Sequence, residues 1–265
     1  FSVFILKKFY LGRFVPIVWH NSTTIFLFPF AIFLFWKQLT TLYSSYKVKN
    51  IDVVILNTLV IANAAIKPSF LFVYVPVTFL FLLKKYRSSF GKEFLLSLTP
   101  IITAVVIILL QKYLIFEMEL GSFQEEDSGV AIGFPFKVLT KWIPMWYIPI
   151  SLFLSYLLPI YAIISYKSIL KYKPFLYSIS LTIIGILLSA FVYESGPRMF
   201  HGNFMWQNVI CTYLVFLSTI SYLTPKVLDK NSRTPNDIIM MVLLLLHSLS
   251  GIMYLINIGL TYSYS

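Results

Sequence analysis

The chain has 265 residues, of which 58% are hydrophobic, 18% are aromatic and only 12% are charged. Soluble domains carry about 25% charged residues, so this composition excludes a water-soluble globule. Several apolar runs approach the roughly 20 residues of a membrane-crossing helix, and they lack the alternation that barrel strands show. The sequence therefore predicts an all-α, polytopic transmembrane helical bundle, with residues 1–265 forming a single integral membrane domain.

The net charge of +11 does not indicate a nucleic-acid partner, because the basic residues lie between the apolar runs and form no patch. Membrane lipids are the partner that this arrangement predicts. The one cysteine, Cys211, excludes an internal disulfide and a cysteine-based metal site. The first residue is Phe, and residues 1–6 resemble the end of an apolar segment, so we expect the chain to continue upstream.

About eight membrane spans follow one another along the chain. They are predicted at Thr23–Trp36, Val53–Ile66, Ser69–Leu83, Phe94–Phe116, Ile143–Ser165, Phe175–Tyr193, Phe204–Leu223 and Ile238–Leu260. The first three are short for a full crossing, and prolines at 29, 76, 100, 144, 149 and 159 lie in or beside apolar runs. We therefore expect several short or proline-broken helices. Polar side chains inside the spans, namely Asn57, Asn63, His247 and Ser248, are expected to hydrogen-bond neighbouring helices.

The basic residues predict the orientation of these spans. Four alternate loops, at residues 37–49, 84–92, 167–173 and 226–233, hold 13 of the 21 Lys and Arg residues. The positive-inside rule assigns those loops to the cytoplasm and the intervening loops and the C-terminus to the outside. The early stretch with Lys7, Lys8 and Arg13 departs from this pattern, and a short membrane segment at Phe14–Trp19 would restore it.

The most polar segment beside a span is residues 194–208, here named the polar corner and predicted on the outer face. It reads ESGPRMFHGNFMWQN, and its glycines and proline are typical of a turn that reverses the chain. The predicted substrate-binding side chains are Arg198 for a phosphate, Trp206 for a pyranose face, and Asn203 and Gln207 for hydroxyls. Glu194 and His201 are the candidates for proton transfer. The alternative is a structural turn with an interfacial tryptophan and an ordinary Glu194–Arg198 ion pair.

A lysine joins two apolar runs at Ala65-Ile66-Lys67-Pro68-Ser69-Phe70. The loop count places Lys67 at the membrane level of the polar corner, so it is a further candidate to bind a lipid phosphate. The alternative is a lysine that snorkels at a turn.

The outer loop at residues 117–142 begins with Glu117, Glu119, Glu125, Glu126 and Asp127. Such acids are compatible with a divalent cation as a cofactor, although their spacing matches no calcium loop. The preferred interpretation is a solvated loop. The three histidines, His20, His201 and His247, are far apart in sequence, so no metal site is predicted from them. No cofactor is identified with certainty.

The motifs Lys67-Pro68-Ser69-Phe70, Glu194-Ser195-Gly196-Pro197-Arg198 and 201–207 (HGNFMWQ) resemble those of bacterial polytopic proteins of surface-polysaccharide assembly. Those proteins resemble the GT-C class of glycosyltransferases. The resemblance covers roughly residues 53–223 and implies a polyprenyl-phosphate-linked sugar as donor and work at the outer face of a bacterial cytoplasmic membrane. The chain departs from that class because no persuasive Asp or Glu lies in a first outer loop, so no catalytic base is carried over.

Three functions follow as hypotheses. The first is sugar transfer from a polyprenyl-phosphate-linked donor in cell-surface polysaccharide or glycan assembly. The second is a transporter or flippase of a lipid-linked or anionic substrate, although the sequence shows neither internal repeats nor midplane charges. The third is a non-catalytic assembly subunit.

Overall fold

The computed structural model describes residues 11, 14, 21–44, 47–116, 129–229 and 233–261, except for the side chains at 115, 116, 197, 198 and 257–261. This part of the chain is almost entirely helical, with one pair of short strands, which confirms the all-α bundle. Six of the described helices are long and apolar enough to cross a membrane. The protein is an integral, multi-pass membrane protein.

The elements follow the predicted apolar runs. The helices are α1 (Ser22–Tyr43), α2 (Asn50–Ile66), α3 (Leu71–Tyr86), α4 (Lys92–Phe116), α5 (Ile148–Ser155), α6 (Leu157–Ser165), α7 (Lys173–Phe191), α8 (Gln207–Leu228) and α9 (Pro235–Thr261). The strands are β1 (Gly129–Ile132) and β2 (Val192–Ser195), and short 3₁₀ helices include Pro68–Phe70 and Gly196–His201. The number of crossings stays a prediction, because α2 has 17 residues and α5 with α6 forms a bent pair.

The first helix is longer than predicted. It has 22 residues and continues past Trp36, where the clean apolar run ends. The polar residues beyond that point have partners within the fold: Lys37 forms an ion pair with Asp52, and Gln38 accepts a hydrogen bond of 2.7 Å from the Tyr74 hydroxyl. The prediction of a short first span is wrong because these partners offset the burial of polar groups.

The predicted fifth span is broken at Tyr156, where α5 and α6 meet at a bend of 58°. The break does not fall at Pro144 or Pro149. Pro159 explains its position, because a proline ring clashes with the carbonyl group four residues earlier, here that of Ser155. Four other prolines lie inside uninterrupted described helices: Pro29, Pro76, Pro100 and Pro225.

The chain forms two compact units. Unit 1 comprises residues 1–17, 140–178 and 212–265, and unit 2 comprises residues 18–139 and 179–211. In unit 1, a ring nitrogen of His247 lies 3.2 Å from the carbonyl oxygen of Leu154 on another helix, as predicted. Ser248 instead donates to Leu244 of its own helix, so its predicted partner is wrong. The single membrane domain over 1–265 stays a prediction.

Unit 2 contains α1 to α4, both strands and the polar corner up to Asn208. The Asn57 amide links α2 to α4, because it donates to the Thr99 hydroxyl at 3.2 Å and accepts from Thr103 at 2.6 Å. This confirms the predicted role of Asn57. Asn63 instead donates to the Leu59 carbonyl of its own helix, where a buried polar side chain satisfies its donor locally.

Candidate functional site

The backbone around Lys67 is set by the proline that follows it. Steric contact with a proline ring disfavours helical geometry in the preceding residue. Accordingly α2 ends at Ile66, and Lys67 is extended with φ −169° and ψ 119°. Pro68 then begins a 3₁₀ turn that leads into α3. Lys67 thus lies at a tight junction between two apolar helical segments, with its side chain half-buried.

The Lys67 ammonium contacts two groups from distant parts of the sequence. Its Nζ lies 4.5 Å from the centroid of the Trp206 ring and donates a 3.2 Å hydrogen bond to Thr24 Oγ1. Thr24 is itself fixed by the N-cap of α1, because Asn21 Oδ1 accepts from both its backbone N–H and its hydroxyl. The structure therefore brings together two of the predicted site residues, Lys67 and Trp206.

No carboxylate compensates this charge within the described residues, since none lies within 4.0 Å of Lys67 Nζ. Burial lowers the pKa of Lys67 to about 8. The ammonium is still mostly protonated at neutral pH, yet a hydroxyl and an indole face compensate a cation less than a carboxylate does. An anion beside Lys67 would therefore be stabilised.

The Glu194 carboxylate lies on a strand that the sequence did not indicate. Strand β2 pairs antiparallel with β1, and Glu194 is opposite Val130. Two glycines with positive φ, Gly196 at 77° as the first residue of the following 3₁₀ helix and Gly202 at 65° directly after its end, reverse the chain, as predicted. This brings Asn203 back to donate a 2.9 Å hydrogen bond to Glu194 Oε2. The predicted proton-transfer candidate is thus oriented by a predicted binding residue.

A narrow cleft lies beside Glu194. Its lining includes Met199, Asn203, Phe204 and Met205, and the space between them does not admit a water molecule. Substrate contact with the carboxylate therefore requires the two methionine side chains to move. Methionine is the apolar residue best suited to such movement, because it has three rotatable bonds.

Two predicted sugar-binding residues are placed differently from expectation. Trp206 is only 7% exposed, and Lys67 covers its ring, so the indole positions the lysine and offers no open face to a pyranose. Gln207 is fully buried, and its amide donates to the Gly185 carbonyl and the Ser189 hydroxyl on α7, each at 3.4 Å. Sequence alone does not separate these roles, because an amide suits a sugar hydroxyl and a helix contact equally well.

The remaining predicted residues are either exposed or outside the described part of the chain. His201 is exposed at the end of the 3₁₀ helix. The side chain of Arg198 lies outside the described residues, as do the acids at 117–127 and the stretch at 15–20. Residues 129–132 of the predicted outer loop form strand β1. Among the described residues, no three His, Cys, Asp or Glu side chains are grouped as a metal site would require.

Sequence reasoning missed three polar residues of this region. Thr24 had a detectable signal, because an asparagine three residues before it is typical of a helix N-cap. Ser189 and Asn208 had none. The Asn208 amide donates to the Ser189 hydroxyl across α7 and α8. Ser189 lies in an apolar run, and Asn208 is the last residue of the polar corner, where no role is predicted for it.

No family model, curated protein or solved structure matches this chain. The resemblance to polysaccharide-assembly proteins therefore stays a prediction.

Proposed function

We propose that this membrane protein binds a polyprenyl-phosphate-linked sugar and transfers the sugar in cell-surface glycan assembly. The observation that carries the proposal is the Lys67 ammonium, held on Trp206 without a carboxylate partner among the described residues. It lies at the end of two apolar helical segments, which is where a lipid phosphate meets protein. A bacterial cytoplasmic membrane is the proposed location.

Each side chain has a defined task in this proposal. Lys67 binds the phosphate and stabilises its charge as the donor bond breaks. Glu194 accepts the proton of an acceptor hydroxyl, whose oxygen bonds to the anomeric carbon. The bond between that carbon and the phosphate oxygen breaks, and the lipid phosphate leaves with the electron pair. Asn203 orients Glu194, and Arg198 is a second candidate for the phosphate.

The direct test is transfer of label from a radiolabelled polyprenyl-phosphate sugar to a cell-envelope glycan extract by reconstituted protein. We expect transfer by the wild type and its loss in Glu194→Gln, which keeps the shape of the side chain and removes the base. Glu93→Gln at the start of α4 is the matched acid control and is expected to transfer normally.

The other hypotheses predict different results. Movement of the labelled lipid across a proteoliposome membrane without transfer would favour a flippase. Neither transfer nor movement, with intact folding and lipid binding, would favour a non-catalytic assembly subunit. Normal transfer by Glu194→Gln would refute the role given to that carboxylate.

A further inference from the structure

An apolar groove of about 230 Å³ lies in unit 2 and is partly open to the surface. It is walled by α3, α4 and α7, all of them apolar helices. Its lining includes Phe72, Val75, Val105, Leu109, Leu188 and Phe204. None of the described residues that line it carries a charge. A groove of this composition is suited to a hydrocarbon chain and not to a sugar or an ion.

Two short chain segments link the residues of the groove to those of the Lys67 site. Leu71, at the start of α3, lines the groove four residues after Lys67 and directly after the 3₁₀ turn at Pro68–Phe70. Phe204 lines it two residues before Trp206 and also lines the cleft beside Glu194. The rings of Phe72 and Phe204 stack with centroids 5.3 Å apart, which joins the two segments.

The groove also runs in the direction that a lipid requires. On α3 it extends from Leu71 to Pro76, away from Lys67 and into the apolar part of the helix. A lipid whose phosphate contacts Lys67 would therefore have its first hydrocarbon segment near Leu71, which lines the groove. Charge at one end and an apolar channel at the other match the two parts of a lipid phosphate.

We propose that the groove binds the phosphate-proximal hydrocarbon of a polyprenyl phosphate while Lys67 contacts the phosphate. The choice of a polyprenyl chain rests on the proposed function, whereas the position of the chain rests on the groove itself. Phe204 then separates the hydrocarbon from the Glu194 cleft, so that the phosphate and its sugar lie on the polar side of that ring.

Neighbouring valines on α4 provide a matched test. Val105 lines the groove and is 37% exposed, whereas Val106 lies outside it and is 56% exposed. Val105→Trp should fill the groove, and Val106→Trp should add the same ring on a lipid-facing surface. Loss of one methylene contact weakens binding roughly fourfold. We therefore expect Val105→Trp to weaken binding of polyprenyl monophosphate by roughly tenfold or more, and Val106→Trp to leave it unchanged.

Binding is measured in detergent by competition against labelled polyprenyl monophosphate. Unlabelled polyprenol, which lacks the phosphate, and phosphatidic acid, which has acyl chains, are the comparison ligands. The proposal is supported if polyprenol and phosphatidic acid both compete more weakly than unlabelled polyprenyl monophosphate does. Equal competition by phosphatidic acid overturns the polyprenyl assignment, and equal binding by both valine variants overturns the groove.

Photocrosslinking tests the proposal with the wild-type protein, so it does not require that any variant folds. A polyprenyl phosphate with a photoreactive group near the phosphate end should crosslink wild-type protein at residues 71–76 and 105–109. Crosslinks confined to other segments would overturn the proposal. Normal crosslinking without any sugar transfer would instead leave the groove in place and refute the proposed function.

Discussion

Replacement of Lys67 by methionine tests the anion site most directly. Methionine keeps an unbranched apolar side chain beside the Trp206 ring and removes the ammonium, with its charge and its hydrogen bond to Thr24. A hydrogen bond to a charged group contributes about 1.5–3 kcal/mol. Loss of the lysine–phosphate contact should therefore weaken polyprenyl monophosphate binding about 10- to 150-fold. Lys67→Arg should retain most of the affinity, because a guanidinium also stacks on an indole and binds phosphate.

Lys85 provides the matched control at the other end of α3. It is also half-buried, donates to the Thr41 carbonyl at 2.8 Å and lies 5.3 Å from the Tyr86 ring centroid. Lys85→Met therefore removes a lysine with similar surroundings but outside the candidate site. Thermophoresis in detergent measures the affinity of each variant, and thermal unfolding confirms that each is folded. Equal affinities for Lys67→Met and the wild type would refute the anion site.

The same lysine predicts a pH dependence with a definite sign. Its pKa of about 8 means that the free protein loses this charge as the pH rises above 8. The phosphate is fully ionised there, since its second pKa is about 6. A bound phosphate raises the pKa of Lys67, so affinity should fall from pH 8 upward and level off only above the pKa of the complex. The groups that face Nζ, the Thr24 hydroxyl and the Trp206 indole, do not titrate in this range. An unchanged affinity ratio between wild type and Lys67→Met from pH 7 to 10 would contradict this assignment.

Two further predictions concern packing and orientation. Gly185→Ala places a Cβ 2.7 Å from Asn208 Oδ1. The resulting overpacking costs about 1–3 kcal/mol, whereas the gain in helix propensity is about 1 kcal/mol. We therefore expect this substitution to lower the melting temperature. In the control Gly251→Ala, the added Cβ meets nothing within 4 Å, so this substitution should not destabilise the protein. Equal melting temperatures for the two variants would argue against the tight α7–α8 contact. For orientation, a cysteine at the exposed Ile132 should react with an impermeant maleimide on intact cells, whereas one at the exposed Ser88 should react only after permeabilisation. Labelling of both in intact cells would refute the predicted topology.

The sequence predicts the helices well because the apolar runs are long and nearly free of charge. It predicts the helix ends less well. The end of α1 depends on partners for Lys37 and Gln38 that lie elsewhere in the chain, and hydropathy does not detect them. The break at Tyr156 can be explained in retrospect, because α5 ends at Ser155, whose carbonyl group lies four residues before Pro159 and clashes with a proline ring.

The candidate site was only partly predictable for a similar reason. Counting loops places Lys67 and the polar corner at one membrane level, but contact between Lys67 and Trp206 depends on tertiary packing. Strand pairing between 129–132 and 192–195 joins segments about 60 residues apart that are too short to show a period. The amide of Gln207 suits either an interior contact or a ligand, and its burial favours the interior contact.

Three lysines of unit 2 show why Lys67 differs from an ordinary interfacial lysine. The charge of Lys37 is compensated by the Asp52 carboxylate. The charge of Lys85 is placed in the last turn of α3, where the helix dipole favours a cation, and it has a carbonyl acceptor. Lys67 also follows a helix C-terminus, but it precedes the start of the next helical segment, where the dipole favours an anion. Its side-chain contacts are a hydroxyl and an aromatic face, so a phosphate at this junction would supply the counter-charge that the two other lysines obtain from the protein.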